Sequence, residues 1–209
     1  MTRTEQLSSG LTALNLNVPT PAQLKLMEYI DLLAKWNRVH NLTAIREPDQ
    51  MVSHHLLDSL AILPALVECK TLVDVGTGGG LPGIPLALTR PDLRVTLLDS
   101  SHKKTAFLRQ VKVELALNNV DIVCDRVEAW RPTSKFDAVV SRAFADLAEF
   151  AQLANHLVRD GGMLLAMKGV YPFDEIARLP DSFQLNRVMS LQVPQLSAER
   201  HLVVLDKAA

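Results

Sequence analysis

Cysteine is nearly missing from this chain of 209 residues: Cys69 and Cys124 stand far apart and match no CxxC spacing. That excludes a disulfide framework and a thiolate metal site, and leaves two reduced thiols of a cytosolic protein. No apolar run reaches the eighteen or so residues of a membrane span, and the opening MTRTEQLSSG has no apolar centre of signal-peptide length. A cytoplasmic chain without a membrane partner is expected. Charge of one sign is absent too, because 22 Lys and Arg face 23 Asp and Glu for a net charge of −1. Any nucleic-acid partner must therefore be met by a local basic face. There is no internal repeat, low-complexity segment or linker. A single α/β domain with a small extension fits the length, and it can bury about 70% of its unfolded surface without a metal staple.

Glycine is scarce, nine in all, yet four of them fall within residues 76 to 80. They sit in Leu72 to Pro85, LVDVGTGGGLPGIP, which reads as a buried strand, a glycine turn and a helix whose Pro82 and Pro85 stay in the first turn. Four glycines in five positions cost backbone entropy, and the return is a backbone that a ligand can approach closely. Gly78, Gly80 and Gly83 fit the G-x-G-x-x-G of dinucleotide binders, and a tight structural corner is a further reading. The longer pattern, Asp74-x-Gly76-x-Gly78-x-Gly80, resembles motif I of class I S-adenosylmethionine-dependent methyltransferases. Chemistry separates these readings. A carboxylate beside the turn repels a pyrophosphate, whereas S-adenosylmethionine carries an ammonium and a sulfonium that Asp74 favours.

Leu7 to Leu16 and Pro21 to Val39 read as amphipathic helices, the second with Leu24, Met27, Ile30, Leu33 or Leu32, and Trp36 at helical spacing. Asp49 to Leu66 resumes the pattern, so residues 1–70 are expected to form a helical extension packed on a core of residues 71–209. From Thr71 strands alternate with helices, which implies a mostly parallel sheet covered on both faces. The expected strands are Arg94 to Leu98, Asp121 to Cys124, Phe136 to Val140 and Met163 to Met167, with helices from Ser101 to Leu117 and from Asp146 to Val158. Phe183 to Val193 and His201 to Leu205 read as a closing antiparallel pair. Ligands of such a sheet lie beyond the carboxyl ends of its strands. That rule gathers Gly76 to Gly80, Asp99, Asp125 to Glu128, Ser141, Arg142 and Lys168 on one rim. Asp99 stands where a doubly wound fold places a carboxylate on ribose hydroxyls, but it also serves as a helix cap. The alternative for Arg142 is a surface ion-pair residue, and for Lys168 an ordinary solvated lysine.

The sequence resembles the bacterial RsmG (GidB) family of 16S ribosomal RNA guanine-N7 methyltransferases from about Leu24 to Val204. The resemblance rests on Trp36-Asn37 with Asn41-Leu42-Thr43, on HLLDSL (His55 to Leu60), DVGTGGGLPGIP, LLDS with Lys103-Lys104 and Phe107-Leu108, SRAFA, MKG, and Glu199-Arg200-His201. Gly79 departs from a proline found in some members, and His54 from a basic residue found in many. The resemblance implies a Rossmann-like α/β fold: a mostly parallel seven-stranded sheet with an antiparallel last strand and a helical N-terminal cap. It also implies S-adenosylmethionine as cofactor, with Gly76, Leu81, Val127, Glu128 and Arg142 at its site, beside the Asp74, Gly78, Gly80 and Asp99 that the motif and the strand ends already select. The implied product is 7-methylguanosine at position 527 of 16S RNA, in the 30S ribosomal subunit. A monomer is expected.

The residues that are absent agree with this chemistry. Guanine N7 has a free lone pair at neutral pH and needs no general base, so catalysis is expected to be positioning, with Arg142 the candidate residue. Ser141-Arg142-Ala143-Phe144 replaces the Asn/Asp-Pro-Pro-aromatic signature of exocyclic-amine methylases, and neither cysteine has the context of a cytosine-C5 nucleophile. Arg142, Lys168, Arg200 and His201 are the RNA-binding candidates, with Arg126 beside them. A methyltransferase acting on another RNA or a small molecule, a nicotinamide-dependent oxidoreductase and a non-catalytic binding module are the alternatives.

Overall fold

The computed structural model describes residues 1–142, 144 and 146–207. Ala143 and Ala145 of the SRAFA stretch lie outside the described residues.

Seven strands form one sheet in the order β3-β2-β1-β4-β5-β7-β6. β1 (Thr71–Val75), β2 (Arg94–Leu98), β3 (Val120–Val123), β4 (Phe136–Ser141) and β5 (Val158–Lys168) pair in parallel. β7 (His201–Lys207) runs antiparallel between β5 and β6 (Phe183–Ser190). The period-2 pattern splits each strand between two cores. Leu72 and Leu97 join the cluster under the N-terminal helices, while Val73, Val75 and Leu98 join the one under α7 (Leu147–Ala154).

The first of these clusters also takes Leu7 and Leu11 from α1 (Arg3–Ala13), Leu26, Tyr29, Ile30 and Leu33 from α2 (Thr20–His40), and Ile84, Phe107 and Leu108 from α5 (Gly83–Thr89) and α6 (His102–Glu114). Residues 48–60 form one helical run: α3 (Pro48–Met51), a π-helical turn (Val52–Leu57) and α4 (Asp58–Leu60). A short helix α8 (Phe173–Ile176) follows β5.

Several boundaries and one face differ from the sequence reading. Leu24 is exposed, and the buried stripe of α2 is Leu26, Tyr29, Ile30, Leu33 and Asn37. Apolar residues on both sides of Leu24 leave the face open on periodicity alone, and Tyr29 decides it, because its hydroxyl donates to Gly79 O at 2.7 Å. The helix expected to reach Val158 stops at Ala154, and β5 begins at Val158, five residues before the expected strand. Gly161, with φ of +68°, lies in the register shift that lets this early pairing join β4. At α6 the chain leaves the helix after Glu114, with Ala116 in the left-handed region. β6 ends at Ser190 and not at Val193, and β7 continues to Lys207.

Tyr29 is fully buried, and burial raises its hydroxyl well above the ordinary phenol range. Removing that hydroxyl leaves the Gly79 carbonyl without its donor. Tyr29→Phe should lower stability by about 1 to 3 kcal/mol. That is roughly 2 to 12 °C in thermal midpoint for a chain of this size. A midpoint within 1 °C of the parent chain by calorimetry would show that the tether carries no weight.

Candidate functional site

The glycine turn is held from beneath, beside and above. Asp74 lies beneath it, fully buried one residue before the end of β1. Its Oδ2 accepts from Thr77 Oγ1 at 2.7 Å and from Gly83 N at 2.8 Å, so one carboxylate oxygen closes the loop onto the start of α5. Burial raises its carboxyl to about 6 despite those two hydrogen bonds and the positive charge of Arg142. Asp99 lies beside the turn, where β2 ends. Its Oδ2 accepts from Gly78 N at 3.0 Å and Lys104 Nζ at 3.2 Å, and its Oδ1 from Ser101 N at 2.9 Å. Tyr29 reaches over from α2. Gly76, Gly78 and Gly80 all have positive φ, at 68°, 60° and 96°. A Cβ at Gly80 would press on Ile84 Cγ1 at 2.5 Å, whereas one at Gly78 would point into open space, 3.9 Å from Gly76 O. At Gly80 the protein itself needs the room, and at Gly78 the left-handed backbone alone asks for glycine.

A cavity of about 280 Å³ opens against this turn. Gly76, Asp99, Val127 and Glu128 line it, as the sequence reading placed them, together with Lys104, Asp125, Arg126 and Phe144. Asp74, Gly78, Gly80 and Leu81 build the turn and do not line the cavity. The lining fits S-adenosylmethionine. Leu98, Val127 and Phe144 offer apolar walls to a purine, and Asp99, Asp125 and Glu128 offer carboxylates to hydroxyls and a cation. A pyrophosphate would meet those same carboxylates.

Arg142 is elsewhere. It lines a second cavity of about 400 Å³ with Thr43, His55, Asp58, Lys168 and Arg200. Asp58 organises this cavity: it is 2% exposed, its Oδ2 accepts from Arg142 Nη1 at 3.2 Å, and its Oδ1 accepts from Arg200 Nε at 3.0 Å. One buried carboxylate thereby fixes two guanidinium groups. Lys168 is paired with Glu175 at 2.7 Å and donates to Phe144 O at 3.2 Å. His201 lines a third, neighbouring groove and its Nδ1 lies 3.2 Å from Gly169 O. Arg126 faces the first cavity, where its Nη1 is 3.7 Å from Glu128 Oε1.

The opposite wall comes from the N-terminal extension. Asn37 Oδ1 accepts from Thr43 N at 2.9 Å and its Nδ2 donates to Ile45 O at 3.2 Å, which clamps residues 43 to 45 against α2. Thr43 Oγ1 lies 2.8 Å from His55 Nε2, on the π-helical turn. Burial, with the charge of Arg142 next, lowers His55 to about 4, so its imidazole is neutral at physiological pH. The two cavities meet at the end of β4: its last residue, Ser141, donates from Oγ to Val75 O at 2.7 Å, Arg142 lines the second cavity, and Lys168 of that cavity donates to the carbonyl of Phe144, which lines the first. Asp58, His55 and Lys104 were not picked out from the sequence as site residues. Their motifs, HLLDSL and Lys103-Lys104, were the available signal.

The family model described as rRNA small subunit methyltransferase G matches residues 22–203. A Laribacter hongkongensis protein called ribosomal RNA small subunit methyltransferase G is 55% identical over 201 residues, covering 96% of this chain and 97% of that one. A protein of the same name from Neisseria meningitidis serogroup B is 52% identical over 207 residues, covering 99% and 100%. Among solved structures, an O-methyltransferase from Bacillus cereus in complex with SAH aligns at a TM-score of 0.59 and 17% identity, covering 86% of this chain and 91% of that one. TrmN from Thermus thermophilus aligns at 0.59 and 17%, covering 75% and 53%. These structures share the class I methyltransferase fold. With an asymmetric sheet, a carboxylate-bound glycine turn and a match over nearly its whole length, the chain belongs to the rRNA small subunit methyltransferase G family.

Proposed function

We propose that the chain transfers a methyl group from S-adenosylmethionine to N7 of guanine-527 in 16S ribosomal RNA, working as a cytoplasmic monomer on the 30S subunit. The observation that carries this reading is the pair of adjoining cavities, one built on the glycine turn and one on Asp58 with its two arginines. When bound, S-adenosylmethionine supplies an electrophilic sulfonium methyl group.

The residues of the chain supply position. Asp99, held by Gly78 N and Lys104, presents its carboxylate to ribose hydroxyls, and Val127 and Phe144 flank the adenine. In the second cavity Arg142 and Arg200 donate to guanine O6 or to a phosphate, and N7 is left uncovered. No proton has to be removed from N7, which agrees with a cavity whose histidine is neutral and whose carboxylate is committed to two arginines. Holding the reactants in line supplies about 7 to 11 kcal/mol at best.

Three outcomes test the reading. Titration calorimetry should show S-adenosylmethionine binding and no NAD binding, no binding by Gly78→Val, and a roughly ten- to hundredfold weaker dissociation constant for Asp99→Ala. Normal affinity in Gly78→Val removes the cofactor from this turn. Asp58→Ala releases both arginines and should cut kcat/KM for 30S subunits by roughly ten- to hundredfold, with cofactor affinity within about threefold of the parent. An unchanged rate assigns Asp58 to folding alone.

The third outcome concerns pH. Unfolded, the His55 imidazole takes a proton as pH falls through 6.5, and folded only near 4. Its stabilising contribution is therefore complete above 6.5 and is lost progressively down to about 4. Asp74 has the opposite sign, because its raised carboxyl favours the folded state as pH falls below 6, but it acts equally in a His55 variant. The unfolding free energies of the parent and His55→Gln should thus converge by about 3 kcal/mol between pH 7 and pH 4. Parallel curves in urea unfolding would place His55 in water.

A further inference from the structure

β5 leaves the sheet at Lys168 and runs through Gly169, Val170, Tyr171 and Pro172 into α8. Here apolar side chains point outward. Phe173 is 74% exposed, Val170 71% and Tyr171 37%, and among the described residues neither ring joins the two buried clusters. The rings nevertheless hold a fixed arrangement. Tyr171 and Phe173 lie 4.2 Å apart at 37°, and Tyr171 meets His201 edge-on at 5.6 Å and 81°. His201 is itself braced by Gly169 O.

These rings border a groove of about 750 Å³ whose other wall is the stretch leading into β7. Arg200 lines both this groove and the Asp58 cavity, so the two surfaces are continuous. Folding alone does not account for the pair, since its outer ring contributes almost nothing to a core. An RNA that inserts one base into the Asp58 cavity must lay its neighbouring nucleotides on the adjoining surface. Unstacked bases of single-stranded RNA are met by aromatic faces and guanidinium planes.

We propose that Tyr171 and Phe173, braced by His201, form a stacking platform for an unpaired nucleotide adjacent to the target guanine. The proposal rests on the reading above that the substrate is small-subunit RNA, and it adds a second nucleotide subsite outside the methylation cavity. Glu199 also lines the groove and repels phosphate, so the sugar–phosphate backbone passes on the Arg200 and His201 side. Stacking is tolerant of base identity, and the platform contributes affinity and register more than sequence choice.

The test is steady-state methylation of 30S subunits that lack the modification, with Phe173→Ala, a Tyr171→Ala/Phe173→Ala double variant and Phe173→Trp. The alanine variants should raise the KM for subunits about 5- to 100-fold. They should leave the cofactor dissociation constant and the salt dependence of RNA binding unchanged, because no phosphate contact is lost. Phe173→Trp should restore the parent KM, which a merely structural role would not predict. Active parent enzyme with an unmoved KM in the double variant overturns the platform alone. Parent enzyme that methylates no small-subunit RNA overturns the substrate reading and the platform with it. Filter binding to deproteinised 16S RNA separates the partners: weakened binding supports stacking on RNA, whereas a defect confined to intact subunits assigns the surface to a ribosomal protein and overturns the proposal.

Discussion

The glycine turn after β1 is a backbone with one anchoring side chain of its own, that of Thr77, and must otherwise be held from outside. Three positive-φ glycines leave it few internal restraints, and the chain restrains it from outside with Asp74, Asp99 and Tyr29. Each comes from a different element and grips a different part of the loop. Asp74 is the costly member, because a fully buried carboxylate with its Oδ1 unpartnered among the described residues is disfavoured in its charged form, which its raised pKa reflects. The return is geometric. Oδ2 joins Thr77 to Gly83 across the turn, and a Cβ at Gly83 would sit 2.9 Å from that same oxygen.

The second constraint is that both walls of the Asp58 cavity come from opposite ends of the chain. Asp58 pairs with Arg142, 84 residues on, and with Arg200, 142 residues on. The N-terminal helical run therefore has to be in place before Arg142 is fixed, and it has to meet the β7 entrance before Arg200 is. The π-helical turn matters here because it resets the helical register between Val52 and Leu57, just where His54 and His55 reach the cavity. A regular α-helical count would point these side chains in other directions. The helical extension thus walls the cavity and, through Tyr29, touches the cofactor turn as well.

That division explains what could be read from the sequence. Gly76, Asp99, Val127 and Glu128 were legible because each follows its own strand within a few residues, and strand ends converge in any parallel sheet. The closing antiparallel pair was legible from its two apolar runs. Asp58 was not: it sits among Leu56, Leu57 and Leu60, and nothing local says that its partners are two distant arginines. Arg142 was expected beside the cofactor, yet it turns to Asp58 while Phe144, two residues on, turns to the first cavity. The face of α2 was open until Tyr29 found Gly79. In each case the deciding term is a long-range pair, which periodicity and spacing do not encode.

The pairing inside the second cavity also changes how its basic residues can work. Arg142, Lys168 and Arg200 carry three positive charges, but Asp58 and Glu175 answer two of them, so the cluster offers a net charge of about one. Such a cluster attracts a polyanion weakly at long range, in keeping with a chain of net charge −1. Its strength lies at short range. Guanidinium groups held from behind by a buried carboxylate lose little conformational entropy when they donate to a base or phosphate, and their donor edges already have a fixed direction. A free surface arginine would steer better and position worse. For the N7 methylation proposed above, which needs no proton transfer, orientation is the larger requirement, and the Asp58 arrangement favours it over electrostatic capture.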